Sequence, residues 1–402
     1  MALTMDDRDG KIWYNGSLVD WREAKTHVLT HTLHYGMGVF EGVRAYETAQ
    51  GPAIFRLQDH TDRFFDSAKI VGIKLPFDKE AINRAHLEVV RANGLKSCYF
   101  RPMAFYGSGK LGIAPKADDV QVIVAAWAWG AYLGEDAIKH GIRCKISSFS
   151  RHHPNITMIK AKANGNYMNS IMANSEAQQS GFDEAILLDS QGYVAEGAGE
   201  NIFTVHRGRL FTPALDVALD GITRRTVIEI ARDMGLEVVE KRITRDELYI
   251  ADEVFFTGTA AEITPIREID NRPVGSGSRP PAAALLRYRY RTRCRIRASA
   301  DLCCVNHTNA YSVTAAFRQP ESCGFYLHIG GAGFSGCLKS GRMLGKDGRF
   351  PLSNSMIFFT MPALYSSSVK VVLPCLCKLP TSWRSESKTK PPTCTSRPAC
   401  RR

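Results

Sequence analysis

Up to about residue 278, the pattern of apolar and polar positions predicts hairpins interleaved with helices. Three pairs of apolar runs flank short polar or glycine-containing turns, as in β-hairpins, within residues 12–19, 185–194 and 201–211. Residues 142–146 alternate like a half-buried strand, and apolar residues recur at helical spacing from about Thr223 to Met234, before Gly235. Together these elements predict an α+β or mixed α/β fold rather than a strictly parallel sheet.

The pattern changes abruptly after residue 278. Arginine occupies every second position from Arg287 to Arg297, which predicts a strand with a basic face. A Cys-, Ser- and Pro-rich stretch without a sustained period follows it. We therefore expect residues 280–402 to be an irregular or disordered tail, of the composition that out-of-frame or read-through coding produces.

Charge and cysteine content divide at the same place. The whole chain carries a net charge of +12, but residues 279–402 hold 20 Lys and Arg against 4 Asp and Glu, so the preceding body is mildly acidic. Nine of the 11 cysteines also lie in the tail, which leaves Cys98 and Cys144 isolated in the body. Because the body also has no secretory or transit pattern and no apolar run of about 18 residues, we expect a cytoplasmic protein with reduced cysteines.

Four short segments of the body contain residues that could carry chemistry. They are Lys160–Tyr167, Glu196–Phe203, Leu219–Arg224 and Thr257–Glu262. Each also has an ordinary explanation: a solvated lysine, a hairpin with exposed acids, a threonine N-cap and a small-residue turn. None of the four decides a function alone, but their order and spacing restrict the choice.

The run from Glu196 to Arg224 resembles the signature of class IV aminotransferases along its whole length. The chain is similar, more specifically, to the bacterial branched-chain amino-acid aminotransferases in residues 34–44, 99–102, 129–134 and 258–262. This resemblance extends from about residue 11 to residue 279. It implies a fold-type IV enzyme with two α/β domains, a small one over 1–134 and a large one over 135–279 that is truncated relative to the family, with the active site between them.

The resemblance also implies a cofactor, pyridoxal 5'-phosphate, and the residues that bind it. Lys162, five positions before Tyr167, would hold the cofactor and move the substrate proton, whereas Lys160 would have no such role. Glu196 would keep the ring nitrogen protonated, and Tyr167 would contact the phenolic oxygen. The residues implied to bind the phosphate are Arg63, Ile222, Thr223 and Thr259. No metal is expected.

The implied reaction belongs to branched-chain amino-acid biosynthesis: leucine, isoleucine and valine react with 2-oxoglutarate, giving branched-chain 2-oxo acids and glutamate. The substrate carboxylates would lie near Tyr99, Arg101, Thr259 and Ala260. A dry pocket for the branched side chain would be walled by Tyr35, Phe40, Trp129 and Tyr132. The family completes this pocket from a partner subunit, so we expect a homodimer or a larger homo-oligomer.

Several alternatives remain open. D-amino-acid aminotransferases and aminodeoxychorismate lyase share the fold, the lysine and the glutamate, although the stretch from Trp129 to Gly134 and the pair Tyr99 and Arg101 favour the branched-chain enzyme. Two hypotheses of other classes arise from the tail. One is a fusion that binds nucleic acid through a basic face. The other is an inactive product, because a body without the family's final helix would expose apolar surface.

Overall fold

The computed structural model describes residues 4–130, 134–276 and 281–302, together with two short segments at 313–314 and 328–329. The chain divides into two compact units, Met1–Ala310 and Tyr311–Arg402. In the second unit, Val313–Thr314 pairs antiparallel with His328–Ile329. The elements and the site described below all belong to the first unit.

The N-terminal part of the first unit is a seven-stranded antiparallel sheet. Its strands are β1 (Lys11–Tyr14), β2 (Ser17–Asp20), β3 (Gly38–Phe40), β4 (Val43–Thr48), β5 (Gly51–Ile54), β6 (Cys98–Tyr106) and β7 (Val120–Trp127). They lie in the order β2-β1-β7-β6-β4-β5, with β3 paired to β6. Its helices are α1 (His31–Tyr35), α2 (Leu57–Ile70) and α3 (Lys79–Ala92), and a 3-10 turn spans Trp21–Glu23. The apolar sides of α2 and α3 pack on this sheet and form its core.

The second part of the unit is a nine-stranded mixed sheet. Its strands are β8 (Ile142–Ile146), β9 (Glu184–Leu188), β10 (Val194–Gly197), β11 (Asn201–His206), β12 (Arg209–Thr212), β13 (Val238–Glu240), β14 (Glu253–Gly258), β15 (Glu262–Ile269) and β16 (Arg272–Pro273). They lie in the order β10-β9-β8-β15-β14-β11-β12-β13, with β16 paired to β15. The helices are α4 (Gly134–His140), α5 (Tyr167–Gln179), α6 (Ile222–Asp233), α7 (Arg245–Tyr249) and α8 (Pro281–Leu302), and a 3-10 turn spans Asn164–Asn166. Strand β8 runs parallel to both of its neighbours, and β12 runs parallel to β13, whereas the other pairs are antiparallel.

The structure confirms the predicted hairpins and the predicted mixed fold. Strands β1 and β2 meet at Asn15 and Gly16, which both have positive φ angles, as a tight two-residue turn requires. Strands β9 and β10 pair antiparallel, as do β11 and β12. Helix α6 begins at Ile222, one residue before the predicted start, and the chain leaves it through Gly235 at φ +77°.

The expected basic strand face after residue 286 is wrong, because this segment lies within the 22-residue helix α8. Alternate residues of a helix point to different sides, so the six arginines do not all share one face. The spacing of the apolar residues in the same segment explains the helix. Ala283, Leu286, Tyr290 and Cys294 recur every three or four positions and form an apolar stripe that packs into the core. The expected irregular tail therefore begins instead with a helix that packs into the core. The rest of the predicted tail lies outside the described residues, apart from the two short strands.

Three buried free cysteines are found in the described part of the chain: Cys98, Cys144 and Cys294. Burial raises the pKa of Cys98 and of Cys294 to about 12, which keeps both thiols protonated and unreactive. Among the same residues, no helix is both long enough and apolar enough to cross a membrane.

Candidate active site

A cavity of about 300 Å³ lies between the two sheets of the first unit. Residues from β3, β6 and α2 line one side of the cavity. The other side is lined by residues near the ends of strands of the second sheet and of the helices that belong to the same part of the unit. Twelve of the fourteen predicted site residues line this cavity: Phe40, Arg63, Tyr99, Arg101, Trp129, Lys162, Tyr167, Glu196, Ile222, Thr223, Thr259 and Ala260. The structure therefore brings together residues that are far apart in sequence and that the family resemblance implied as site residues.

Of the other two predicted residues, one lies away from the cavity and the other is not among the described residues. Tyr35, expected as a wall of the pocket, stands at the end of α1 with 44% of its surface exposed. Gly36 adopts a left-handed conformation directly after it and turns the chain into β3, so Phe40 reaches the cavity and Tyr35 stays outside. Tyr132 lies outside the described residues.

The backbone of Lys162 is held in place by the first sheet and α2. Its carbonyl accepts a hydrogen bond from Phe40 N–H at 3.1 Å, and its own N–H donates to Ser67 Oγ at 3.0 Å. The side chain enters the cavity, where Nζ donates to the Tyr167 hydroxyl at 2.7 Å. Lys160, two positions earlier, is exposed to solvent. The structure thus separates the two lysines, and only Lys162 offers an amine to the cavity.

Glu196 is a buried carboxylate at the end of β10 with both oxygens engaged. Its Oε2 accepts hydrogen bonds from Leu219 N–H at 3.1 Å and from the Asn201 amide at 3.3 Å. Its Oε1 lies 2.8 Å from Nε of Arg151. Arg151 also lines the cavity, but sequence reasoning missed it because it lies in a segment with no regular period. A carboxylate held on three sides keeps a fixed direction, which suits recognition of a protonated ring nitrogen.

Arg63 is fixed by a buried cluster that sequence reasoning also missed. Its Nε and Nη2 donate to the two oxygens of Glu41 at 2.6 and 2.9 Å, and Nη1 donates to Asp220 O at 2.6 Å. His60 Nδ1 lies 2.8 Å from Glu41 Oε2. Burial disfavours the charged form of Glu41, but Arg63 and His60 outweigh this effect and hold the pKa of Glu41 well below its usual range. Glu41 is fully buried, so it orients Arg63 from behind rather than lining the cavity.

The start of helix α6 faces the cavity without a side-chain cap. Gly221 is the N-cap residue, and Ile222 and Thr223 follow it on the cavity wall. A Cβ atom on Gly221 would collide with the Asn201 side chain, so only glycine fits this close approach. Uncapped N–H groups and the positive end of the helix dipole form a site for an anion.

The opposite wall is aromatic and carries one guanidinium group. Trp129 stacks on Tyr99 at 5.2 Å between ring centroids, and the Arg101 guanidinium lies 4.6 Å from the centre of the Phe40 ring. Nε of Arg101 and Oγ1 of Thr257 are buried, and neither has a hydrogen-bond partner within the described residues. Unused buried donors beside an apolar wall suit a ligand with an anionic end and an apolar end.

Two further buried acids, Glu200 and Glu184, interact with each other, and sequence reasoning assigned neither a role. Glu200 lines the cavity, and its Oε2 accepts a hydrogen bond from Gly199 N–H at 3.1 Å. Burial, reinforced by the neighbouring Glu184, raises the pKa of Glu200 to about 8. Glu184, which accepts a hydrogen bond from the Asn174 amide at 2.8 Å, has a pKa that burial raises as well. At neutral pH, Glu200 is therefore largely uncharged.

Comparisons with known proteins agree with this site. The family Amino-transferase class IV matches residues 38–269. A branched-chain-amino-acid aminotransferase of Pseudomonas aeruginosa is 58% identical over 288 residues, which covers 72% of this chain and 94% of that protein. Solved structures of the T.th. branched-chain amino acid aminotransferase, with pyridoxamine 5'-phosphate or N-(5'-phosphopyridoxyl)-L-glutamate, superpose with TM-scores of 0.70 and 0.69 at 53% and 51% identity, each covering 72% of this chain and 95% of the other. The chain belongs to the class IV aminotransferases, an enzyme family, and within it to the branched-chain-amino-acid aminotransferases.

Proposed function

We propose that this protein uses pyridoxal 5'-phosphate to transaminate leucine, isoleucine and valine with 2-oxoglutarate. The observation that carries the proposal is that one cavity combines an amine beside a phenol, a buried carboxylate and an uncapped helix start with an arginine. These three groups match the three features by which the cofactor is recognised, namely its aldehyde, its ring nitrogen and its phosphate. The T.th. relative, solved with pyridoxamine 5'-phosphate, supports the choice of cofactor.

The donors present fit that cofactor in kind and in number. Ile222, Thr223 and Thr259 would bind the phosphate together with Arg63, whose guanidinium is already oriented by Glu41. Glu196 would face the ring nitrogen, and Tyr167 the phenolic oxygen. When bound, the cofactor supplies an electron sink that stabilises a carbanion at the substrate Cα.

The work left to the protein is proton transfer and orientation. Lys162 Nζ would remove the proton from Cα of the amino acid, and the Tyr167 hydroxyl, 2.7 Å away, keeps that amine directed into the cavity. Arg101 and the turn at Thr259–Ala260 would hold the substrate carboxylate. Phe40, Tyr99 and Trp129 would exclude water around a branched side chain.

Substrate choice separates this function from the related activities. With 2-oxoglutarate as acceptor, we expect L-leucine, L-isoleucine and L-valine to be turned over much faster than D-alanine, because the aromatic wall favours branched apolar groups. The measurement is glutamate formed per unit time from each donor at equal concentration. The N-(5'-phosphopyridoxyl)-L-glutamate complex of the T.th. relative supports the glutamate half of the reaction. Faster turnover of D-alanine would overturn the substrate assignment, and the absence of glutamate from all four donors would overturn the activity.

We also propose that two copies of the chain associate through an exposed apolar surface, called here the α1/α5 surface. It consists of Val28, Leu29, Leu33 and Met37 around α1, Leu111 and Ile113, and Met168, Ile171 and Met172 on α5. His31 Nε2 lies 2.8 Å from Gly112 O, and Gly36 lies against Gly165, so the three groups adjoin one another. An apolar surface of this extent is typical of a protein interface.

Placing a charge in the α1/α5 surface should separate the copies. Ile171→Asp would bury a carboxylate in the interface, so we expect a homodimer to become largely monomeric in analytical ultracentrifugation. The matched control is Ile250→Asp, since Ile250 is 63% exposed, as Ile171 is, but lies outside this surface. An unchanged mass for Ile171→Asp, or an equal loss for both variants, would contradict the proposed interface.

We place the enzyme in the cytoplasm. The buried free thiols Cys98 and Cys144 in the body fit a reducing compartment, where thiols stay unpaired.

A further inference from the structure

Glu262 occupies a demanding position directly after a turn of the cavity wall. The turn at Thr259–Ala261 lines the cavity and connects β14 to β15, and Glu262 begins β15 opposite Gly258. Its φ angle is +55°, a backbone conformation that residues other than glycine rarely adopt. Its carboxylate is almost fully buried. Contacts that hold this carboxylate therefore also hold the turn.

Four side chains hold the carboxylate of Glu262, two from each side. From the first sheet, the Tyr46 hydroxyl donates to Oε1 at 3.2 Å, and Arg44 Nη1 lies 3.5 Å from the same oxygen. From α8, Arg287 Nη2 donates to Oε2 at 3.2 Å and Arg291 Nε donates to it at 2.9 Å. Burial opposes the charge, but the arginines hold the pKa of Glu262 below its usual value.

Helix α8 is itself held in place by the core, so its arginines can fix the position of the turn through Glu262. At its start, the Glu253 carboxylate accepts hydrogen bonds from Ala282 N–H at 3.0 Å and Ala283 N–H at 3.1 Å. Its apolar stripe is buried in the core beside α6. The buried Tyr290 also interacts with Thr223, at the start of α6. One helix thus contacts both anion-binding walls of the cavity from behind.

We propose that Arg287 and Arg291 are positioning residues that, through Glu262, fix the Thr259–Ala261 turn and so set the affinity of the cavity for the anionic groups bound there. The inference rests on the proposed function, because it takes the bound anions to be the cofactor phosphate and the substrate carboxylate.

The test compares Arg287→Met/Arg291→Met with Arg289→Met, a control on an exposed position of the same helix. We expect the double variant to bind pyridoxal 5'-phosphate about tenfold more weakly in a spectroscopic titration, because a loosened turn misplaces its donors. Its KM for L-leucine should rise more than its kcat falls, and the Arg289→Met values should match the unaltered protein. A rise of KM at unchanged cofactor affinity would overturn the part of the proposal that concerns the cofactor phosphate.

The proposal and the proposed function can fail separately. If the unaltered protein does not bind pyridoxal 5'-phosphate, the proposed function fails. If it binds but the double variant binds equally tightly and with equal KM, the positioning role fails. Should the double variant not fold, Arg291→Met alone decides, because this side chain is 49% exposed and its removal leaves the core intact. Arg291→Lys, which keeps the charge near Glu262, should recover part of the lost affinity.

Discussion

Lys162→Ala should lower the rate of transamination by about 10⁴-fold, the upper range for loss of a general acid–base. Lys162 Nζ is the amine that reaches the cavity from this segment, and its hydrogen bond to the Tyr167 hydroxyl already directs it there. Removing it takes away both the covalent hold on the cofactor and the group that moves the proton at the substrate Cα. The residual cavity would still bind the cofactor phosphate, so the fold should survive.

The measurement pairs the rate of glutamate formation with the visible absorbance of lysine-bound cofactor, which the variant should lack. Lys160→Ala is the matched control, because Lys160 is two residues away, exposed and outside the cavity. We expect this control to keep both the rate and the absorbance band. A Lys162→Ala protein that retains the band would show that another amine holds the cofactor.

Arg63→Met should destabilise the cofactor-free protein by about 3–5 kcal/mol, the usual cost of breaking a buried ion pair by removing one partner. The reason is Glu41, which is fully buried and receives two hydrogen bonds from Arg63. Without the guanidinium, its charge stays in the interior with His60 and the Gly42 N–H as its remaining partners. The same substitution should abolish tight cofactor binding, because the phosphate loses its fixed cation.

A second substitution separates these two effects. Glu41→Gln removes the buried charge, so Glu41→Gln/Arg63→Met should regain much of the lost free energy of unfolding in urea. Cofactor binding should not return, since the double variant still lacks the arginine. If Arg63→Met alone were as stable as the unaltered protein, Glu41 would not depend on Arg63. If the double variant bound the cofactor normally, Arg63 would not be a phosphate ligand.

Local patterns predicted the hairpins and α6 because the turn residues and the apolar spacing that determine these elements lie within a few residues of one another. The turn at Asn15–Gly16 and the apolar spacing that ends at Gly235 are examples. The cavity residues came from motif resemblance, and the structure brings twelve of them together. The partners that orient them could not be predicted: Arg151 meets Glu196, and Arg63 meets Glu41, through tertiary contacts that leave no local period.

Helix α8 was wrongly predicted for a different reason: two local patterns, one of a strand and one of a helix, overlap in its sequence. The alternating arginines predicted a strand, but Ala283, Leu286 and Tyr290 have the spacing of a helix, which the prediction overlooked. Burial of this apolar stripe stabilises the helix, so the helix forms instead of the strand. Arg287 and Arg291 lie one turn apart on the same side, which explains how both reach Glu262.

The protonated state of Glu200 links folding to proton uptake. In the unfolded chain this carboxyl would lose its proton near its ordinary pKa of 4.5, whereas burial and the neighbouring Glu184 raise the pKa in the folded protein to about 8. Between these two values the folded state holds a proton that the unfolded state has released, so this group favours unfolding progressively as the pH rises. Through this carboxyl alone, a mildly acidic buffer stabilises the folded enzyme relative to an alkaline one.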